Sequence, residues 1–336
     1  MNIGAYVVRR LALMILVLFG VLVITFTVSH VIPADPVGAI LGPQAPTHLI
    51  DKINAEWGFD KPLYEQFIIY VRNLLRGNLG KSIQTNNAVA DDIMMRWPAT
   101  IELSTTALLF ALLLGIPAGV ISALKRNSVV DHFVRIISIS GLSMPVFWLG
   151  LMLLFLLYFQ MGVLPGVGRL DTSIDIGRRI TGMFTVDALL QGNYEAFIDA
   201  VRHLIMPAFV LGFSATGSIA RITRASTLEV MQQEYVNTAK AKGLSERVVI
   251  FRHILRNALI TPVTIIGLTY GGLLEGSILT ETIFSWPGLG RYATSAFMRL
   301  DFQSVMGVTL FIAVIYSVAN LIVDILYAYL DPRVRI

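Results

Sequence analysis

Residues 101–124 have the sequence IELSTTALLFALLLGIPAGVISAL, in which Glu102 is the only charged side chain. A helix that rises 1.5 Å per residue needs about 20 apolar residues to cross the hydrocarbon core of a bilayer. Every backbone amide in lipid must be satisfied inside its own segment, which favours a helix. This stretch therefore predicts a transmembrane helix.

Similar stretches recur along the chain and set its fold class. Of the 336 residues, 55% are hydrophobic and 14% are charged, against roughly 45–50% and 25% in a typical soluble domain. The mean hydropathy is +0.70. Long apolar segments occur at residues 11–31, 101–124, 134–159, 204–220, 259–283 and 304–330. The sequence predicts an all-α integral membrane protein with six transmembrane helices.

The apolar segments divide the chain into three parts. Residues 1–32 hold the N-terminus and a first helix, whose apolar run is longer than that of a signal peptide, so we expect it to be retained. Residues 33–100 form an external region, in which Pro62 begins an amphipathic helix. Three positions are open to this helix: it packs against its own external region, lies on the membrane surface, or packs beneath a partner. Residues 101–336 hold five further helices, a connection at 221–257 and a second external loop at 160–202 whose structure the pattern does not predict.

Lysine and arginine are distributed unequally between the connections, which predicts the orientation. With the N-terminus in the cytoplasm, most cations of the short connections lie inside, including all seven between residues 221 and 256. Both termini are therefore expected in the cytoplasm. The pI of about 9.3 follows from this asymmetry and from attraction to anionic lipid, so we expect no nucleic-acid partner.

Residues that usually carry catalysis or bind metals are scarce. Cysteine is absent, and the five histidines lack ligand spacing, which excludes disulfides and gives a metal centre little support. Residues 77–82, GNLGKS, resemble part of a phosphate-binding loop, but Leu75 stands where its first glycine would be and no buried strand precedes it. We expect no catalytic residue, metal site or cofactor here, so any ATP must be used by another polypeptide.

The connection at 221–257 is longer than the 2–8 residues typical between helices of a bundle. Four residues with helical spacing would share one face of a first helix: Leu228, Met231, Tyr235 and Ala239. Gly243 suits the left-handed position that ends a helix, Leu244 can fold back onto it, and Ser245 can cap a second helix. The segment is either a docking element for a partner or an interfacial helix attracted to anionic lipid.

Residues 234–245, EYVNTAKAKGLS, resemble the EAA loop of ABC importer permeases, in the form typical of dipeptide, oligopeptide and nickel permeases. Further matching stretches are RR at 9–10, IPADP at 32–36, FDKPLYEQ at 59–66, NLLRGNLG at 73–80, PATIEL at 98–103, TETIFSWPGLG at 280–290, and Asp324 followed by DPR at 331–333. The long first external region is similar to that of the B-type permease subunit. Asn237 and Thr238 replace the acidic residue and first alanine of the motif, and Pro262 stands one place later than expected.

This resemblance implies the fold of a type I importer permease in the bacterial inner membrane. It implies a second homologous permease, two ATPase subunits that bind ATP and Mg, and an external substrate-binding protein that delivers a di- or oligopeptide. The residues that it assigns to ATPase coupling are Glu234, Asn237, Thr238, Ala239, Lys240, Ala241, Lys242, Gly243 and Leu244. Small Ala239 and Ala241 would let a partner approach closely, and Gly243 would fix the bend.

Three acidic residues in apolar segments are candidates for the translocation path, because a carboxylate at membrane depth is costly unless it faces protein or water. Glu275 is flanked by two pairs of glycines that favour close helix packing; it either lines the path or is a protonated interhelical carboxyl. Asp324 could instead pair with an inner cation, and Glu281 precedes an aromatic turn that resembles an interface anchor. Pro117, Pro145 and Pro207 predict bends.

Two other classes of protein remain as alternatives. A secondary transporter or channel would work without an ATPase and would more often show internal repeats or rings of buried charge, which we do not find. A membrane-embedded enzyme would need a convergent polar site. The sequence does not identify the solute, because dipeptides, oligopeptides, nickel chelates, glutathione and glycosides are all carried by permeases of this resemblance.

Overall fold

A computed structural model describes residues 3–31, 46–48, 50 and 61–330, and within its helices the side chains of 3–7, 29–31, 264 and 322–330 are not described. The matching stretches at 32–36, 59–60 and 331–333 lie outside the described residues. The described helices are α1 (Ile3–Val31), α2 (Leu63–Leu75), α3 (Val89–Leu124), α4 (Val129–Ser143), α5 (Val146–Leu153, continued by a π-helix at Leu154–Gln160), α6 (Phe184–Leu190), α7 (Tyr194–Met231), α8 (Glu234–Ala241), α9 (Glu246–Val248, continued by a π-helix at Val249–Leu255), α10 (Arg256–Ala258), α11 (Ile260–Ile283), α12 (Leu289–Met298) and α13 (Phe302–Leu330).

Five stretches of helix in the described residues are long and apolar enough to cross a membrane: Val8–Val28, Val89–Leu124, Tyr194–Met231, Glu246–Ile283 and Phe302–Leu321. A sixth candidate is the pair Val129–Ser143 and Val146–Gln160, whose two halves meet at 106°. The predicted all-α fold with six apolar segments is confirmed. The third segment is a broken helix instead of a continuous one.

The break in the third segment lies at Pro145, as predicted. Met144, directly before it, has extended backbone angles (φ −81°, ψ 125°), because a proline ring disfavours the helical conformation of the preceding residue. At Pro117 and Pro207, by contrast, α3 and α7 continue through the proline. A proline in a membrane helix is therefore not sufficient to break it when the surrounding packing holds the backbone.

Helices α3 and α7 form the centre of the bundle and run parallel to each other. A Cβ atom added at Gly212 would lie 2.6 Å from the carbonyl oxygen of Ala107, and one at Gly119 would lie 2.5 Å from that of Ala220. Small residues let two backbones approach this closely, which is how helices associate without a hydrophobic driving force in lipid. The register also fixes direction, because residue numbers increase together along both helices.

The parallel course of α3 and α7 gives the bundle two distinct ends. We call the end at which Leu124 and Met231 lie the elbow end, and the end at which Val89 and Tyr194 lie the loop end. Because α3 finishes at the elbow end and α7 starts at the loop end, the bent pair between them must cross from one to the other. It is therefore a broken span and not a re-entrant loop.

The predicted helix after Pro62 is confirmed as α2. Its Phe67 and Tyr70 pack against Leu22 and Phe26 of α1 and against Met306 of α13. In the part of the chain that the structure describes, the buried face of α2 thus rests on the first and last spans, near the loop end. From this contact α1 runs back to its start at the elbow end, and α13 likewise finishes there.

Candidate functional site: the elbow, its supports and the exposed span face

The connection between α7 and α11 is shorter than the sequence predicts, because both flanking helices extend into it. Helix α7 continues to Met231, and helical turns resume at Glu246. What remains is the short helix α8 with a turn on each side, at residues 232–245. We call this segment the elbow.

Gly243 ends the elbow helix as predicted. Its φ is +77°, its amide donates to the carbonyl of Lys240 at 2.9 Å, and the amide of Leu244 donates to that of Ala239 at 3.4 Å. This pair of bonds is the Schellman arrangement, in which a glycine in the left-handed region satisfies the last carbonyls of a helix. A residue with a Cβ atom would strain this turn by about 1–2 kcal/mol.

The buried face of the elbow differs from the predicted one. Val236 and Ala239 are buried against Val249 and Ile254, whereas Tyr235 is 42% exposed. The helix breaks after Met231, which changes the phase of the pattern that began at Leu228. Ala239 therefore packs inside this chain, so the close approach that its small side chain permits is to Val249 and Ile254, and its assignment to coupling stays a prediction.

The exposed face of the elbow carries the other residues assigned to coupling. Those classed as exposed are Glu234, Asn237, Thr238, Lys240, Ala241, Lys242, Gly243 and Leu244. Leu244 is 41% exposed, so its predicted folding back onto the helix is incomplete. The surface combines small, polar and cationic groups around one defined bend, and it leaves these groups open to a partner.

Hydrogen bonds attach the elbow and its flanks to the spans. The hydroxyl of Tyr235 accepts from Asn257 Nδ2 at 3.0 Å, and Ser226 of α7 donates to the carbonyl of Ala258 at 2.8 Å. Ser245 stands at the predicted cap position, but its side chain accepts no capping hydrogen bond. The elbow is thus held by its own apolar contacts and by a polar link to α10, and α10 is in turn bonded to α7.

A buried ion pair supports the elbow end and was not predicted. Asp131 of α4 is fully buried and accepts from Arg224 Nε at 2.8 Å and Arg224 Nη2 at 2.9 Å. It also accepts from Ser122 Oγ at 2.5 Å and from the amide of Asn127 at 2.9 Å. A two-pronged guanidinium–carboxylate pair of this kind fixes geometry as well as charge. It joins the first half of the bent span to the helix that carries the elbow.

Glu275 lies on an exposed face of α11. Leu268 and Leu279, which share that face, are 58% and 54% exposed, and a Cβ atom at Gly272 would meet nothing within 4 Å. Among the flanking glycines, Gly271 is in tight contact, because its Cβ would lie 2.7 Å from the ring of Tyr316. The face that carries Glu275 is therefore open among the residues that the structure describes.

Glu281 is placed differently from the prediction. It is fully buried and accepts from Thr100 Oγ1 at 2.7 Å and from the amide of Arg291 at 3.0 Å. The aromatic turn beyond it is also internal, since Phe284 and Trp286 are 1% and 0% exposed. The interpretation of this turn as an interface anchor is wrong, and the geometry of Glu281 is that of a packing residue. The side chain of Asp324, within α13, lies outside the described residues.

The second external loop, 160–202, is tied to the bundle by a second buried ion pair. Arg169 pairs with Glu102 of α3, with side chains 6% and 3% exposed, and lies over the ring of Phe184 at 3.8 Å. Burial lowers the pKa of the Arg169 guanidinium, and Glu102 opposes this shift. Glu102 also accepts from the amide and hydroxyl of Thr185, both at 2.7 Å.

Asp187 organises the same loop from within. It is buried and accepts from the amides of Ile180, Thr181 and Gly182 at 3.2, 2.7 and 3.0 Å. Burial by itself would raise the pKa of Asp187, but these hydrogen bonds and that of the Thr181 hydroxyl outweigh it and lower the pKa. The carboxylate form therefore holds the loop at neutral pH.

The stretch that resembles a phosphate-binding loop ends at Ser82, whose hydroxyl donates to an internal carboxylate. Asp301 accepts from Ser82 Oγ at 2.6 Å and from the amides of Ile83 and Gln84 at 3.0 and 3.4 Å. It also accepts from Ser304 Oγ at 2.8 Å. These donors serve an internal carboxylate that fastens residues 82–84 to the start of α13.

The sequence did not indicate which charged residues form the two buried ion pairs, Glu102 with Arg169 and Asp131 with Arg224. Their partners lie 67 and 93 residues apart in the chain. The signal for Glu102 was present, since it is the only charge in residues 101–124 and an ionisable residue in such a segment indicates a buried partner. The identity of that partner, Arg169, follows only from the three-dimensional structure.

No group of three or more potential metal-binding side chains occurs in the described residues. The spans, the broken third helix and the exposed elbow define a helical membrane permease. The chain belongs to the family described as binding-protein-dependent transport system inner membrane component: that family's profile matches residues 115–336, and the profile of its N-terminal part matches residues 3–104.

Three relatives are similar to this chain over nearly its full length. The probable D,D-dipeptide transport system permease protein DdpB of Escherichia coli (strain K12) is 45% identical, with 96% of this chain and 94% of that protein covered. The di/tripeptide transport system permease protein DppB of Pseudomonas aeruginosa is 46% identical, with 98% of each covered. The glutathione transport system permease protein GsiC of Escherichia coli is 36% identical, again with 98% of each covered.

Proposed function

We propose that this chain is one of two permease subunits of an ATP-driven importer of di- or oligopeptides, and that the elbow couples it to an ATPase. One observation carries the proposal: an exposed helix with a glycine-fixed end is packed through Val236 and Ala239 onto the turns that begin a span. A partner that moves this helix would move those turns with it, because packed interiors shift as units.

We assign the elbow end to the cytoplasm, together with both termini. The cations at residues 221–256 lie at this end, as the positive-inside rule requires for short connections. The loop end would then face the substrate-binding protein, and the second external loop, 160–202, would be part of its docking surface. The loop's buried ties at Arg169 and Asp187 support this role because a docking surface needs a fixed shape.

The chemistry of ATP hydrolysis is assigned to the partner subunits, which would bind ATP and Mg. In the stretch that resembles a phosphate-binding loop, the amides of Gly80 and Lys81 donate to the side chains of Asn78 and Gln303 and so are not free to hold a phosphate. This chain would supply the translocation path, shared with a second homologous permease and surrounded by lipid.

Glu275 is our candidate for a residue of that path. At membrane depth a carboxylate does not face lipid without a large cost, yet no described residue covers the surface around Glu275. The second permease or a water-filled path would cover it. Glu281 is not retained in this role, because it is buried within this chain.

The test is a native mass measurement on the tagged chain purified in mild detergent, with ATPase activity assayed on the same sample. We expect a complex with a second permease and two ATPase subunits. Gly243→Val should reduce ATPase coupling, because the left-handed turn is strained by a β-branched residue. Gly77→Val is the matched control, since Gly77 also has a positive φ and open space around it but lies near the loop end.

Two outcomes would overturn the proposal. A homo-oligomer that transports peptides without ATP would favour the secondary transporter. Equal loss of coupling in Gly77→Val and Gly243→Val would show that the elbow turn has no special part in it.

A further inference from the structure

A cavity of about 230 Å³ opens at the loop end of the bundle. Its lining includes residues from three separate parts of the chain: Gln84, Arg96, Gly288, Arg291, Tyr292 and Ser295. At about 30 Å³ per water molecule, this volume holds about seven waters. That is enough for a carboxylate and the peptide unit beside it.

Two guanidiniums line this cavity, and they differ in charge balance. Arg96 donates through Nη1 to Asp92 Oδ1 at 2.7 Å and lies 4.3 Å from the ring centroid of Tyr292. Arg291 donates through Nη1 to the carbonyl of Ser285 at 2.7 Å, and it pairs with no carboxylate in the part of the chain that the structure describes. Asp92 balances Arg96, and the Glu281 carboxylate accepts from the backbone amide of Arg291, so Arg291 is the lining cation whose guanidinium has no carboxylate partner in the described residues.

Both arginines have N–H groups that are not used by the hydrogen bonds described above. Their Nε and Nη2 groups have no hydrogen-bond partner among the described residues, so two planar forks remain available at one cavity. Such forks match the two oxygens of a carboxylate. One unpaired guanidinium suits a monoanion such as a carboxylate better than a phosphate, which carries nearly two negative charges at neutral pH.

We propose that this cavity binds the C-terminal carboxylate of a free peptide as it leaves the binding protein, with Arg291 as the main contact. The proposal rests on the proposed function, because it places the cavity on the side from which substrate arrives. Arg291 lies in α12, the helix that follows α11 along the chain, and α11 is the span that carries Glu275, so a peptide held here would be at the outer end of the proposed path.

The experiment uses the complete complex in nanodiscs without its binding protein, so that only the permease can select the ligand. Binding of Ala-Ala and of its C-terminal amide is compared at millimolar concentration by ligand-observed saturation-transfer NMR. A charge-assisted hydrogen bond contributes about 1.5–3 kcal/mol, so we expect the amide to bind at least about tenfold more weakly. Arg291→Gln should remove this preference, and Arg291→Lys should reduce it, because one charge remains but the fork is lost.

Arg299→Gln is the matched control, since it removes the same charge from the end of the same helix, α12, away from the cavity. It should keep the preference for the carboxylate. Equal binding of the two ligands to the unmodified complex, no binding of either, or an unchanged preference in Arg291→Gln would overturn the inference.

The second source of a carboxylate is an acidic side chain of the binding protein. In that case free Ala-Ala would show no preference, and Arg291→Gln would raise the binding-protein concentration needed for half-maximal ATPase stimulation. That result would also overturn the inference. Failure of the proposed function is distinguishable, because it appears as transport without ATP or as a complex without ATPase subunits, whatever the peptide binding.

Discussion

The loop end and the elbow end of the bundle are held by different kinds of contact. At the loop end, connections far apart in the chain meet at buried carboxylates: Glu102, Asp187, Glu281 and Asp301 each accept several hydrogen bonds. At the elbow end, the connection is a short helix held mainly by Val236 and Ala239, with its polar face exposed. The single buried carboxylate that we find there in the described residues is Asp131.

This difference matches two mechanical tasks. Buried, fully bonded polar groups specify one geometry and are costly to disturb, which suits a surface that must keep its shape. An element held by apolar contacts and one glycine turn can move as a small rigid body when a partner takes hold of it. The comparison predicts that substitutions at the loop end lower stability, while those at the elbow lower coupling.

The largest loss of stability is expected from breaking the Glu102–Arg169 pair. Arg169→Met should destabilise the protein by about 3–5 kcal/mol, because it leaves a buried carboxylate without its counter-charge. Thermal or denaturant unfolding of the purified complex measures the change. The double variant Glu102→Gln with Arg169→Met should recover part of it. Glu65→Gln is the control, since its pair with Lys61 is 41–46% exposed and should contribute about 1 kcal/mol or less.

If Arg169→Met unfolded at the same midpoint as Glu65→Gln, the loop end would not depend on its buried pair. The contrast between the two ends would then lose its main support.

The corresponding change at the elbow end is Asp131→Asn. It removes the charge that holds Arg224, and we expect a loss of about 2–3 kcal/mol, typical of hydrogen bonds to charged groups. This is smaller than at the loop end because Arg224 is 21% exposed, so water can partly replace its partner. Arg135→Gln is the control, because Arg135 is exposed and its Nε lies 3.7 Å from the same carboxylate. It should change the free energy of unfolding by about 0.5 kcal/mol or less.

The pH response provides a third comparison, confined to the second external loop. The pKa of Asp187 is lowered in the folded protein, so its stabilisation is complete above the ordinary aspartate pKa of about 3.9 and is lost as the pH falls below it. Hydrogen exchange at the amides of Ile180, Thr181 and Gly182 should therefore accelerate below about pH 4, beyond the intrinsic pH effect. Asp187→Asn should show fast exchange already at pH 7.

The control for the loop is Asp175→Asn, which makes the same charge change. Asp175 accepts from the amide of Gly177 and from none of the three amides that Asp187 holds. It should leave their pH response unchanged. Protection of the three amides that persists to pH 3 in the unmodified protein would contradict the role assigned to Asp187.

What the sequence could predict depends on how local the cause is. The spans, the break at Pro145, the start of α2 after Pro62 and the turn at Gly243 each follow from neighbouring residues. The buried face of the elbow does not, because the break after Met231 changes the helical phase. Glu281 could be recognised as an acidic residue near membrane depth, but its contacts with Thr100 and Arg291 depend on how separate segments pack.

The smallest effect separates two helix caps, one at each end of the bundle. At the loop end, the side chain of Asn193 accepts from the amide of Ala196 at 3.1 Å and caps α7. Replacement of such a cap by alanine costs typically about 1 kcal/mol. At the elbow, Ser245 holds the equivalent position before α9 without a side-chain bond, so Ser245→Ala should change the free energy of unfolding by less than about 0.5 kcal/mol.

Unfolding midpoints of the two alanine variants, measured side by side, decide whether loop-end polar contacts contribute more than elbow-end contacts even at single hydrogen bonds. Equal losses would mean that Ser245 gains a partner when the ATPase is bound, and the elbow would then be more firmly held in the complex than in this chain alone.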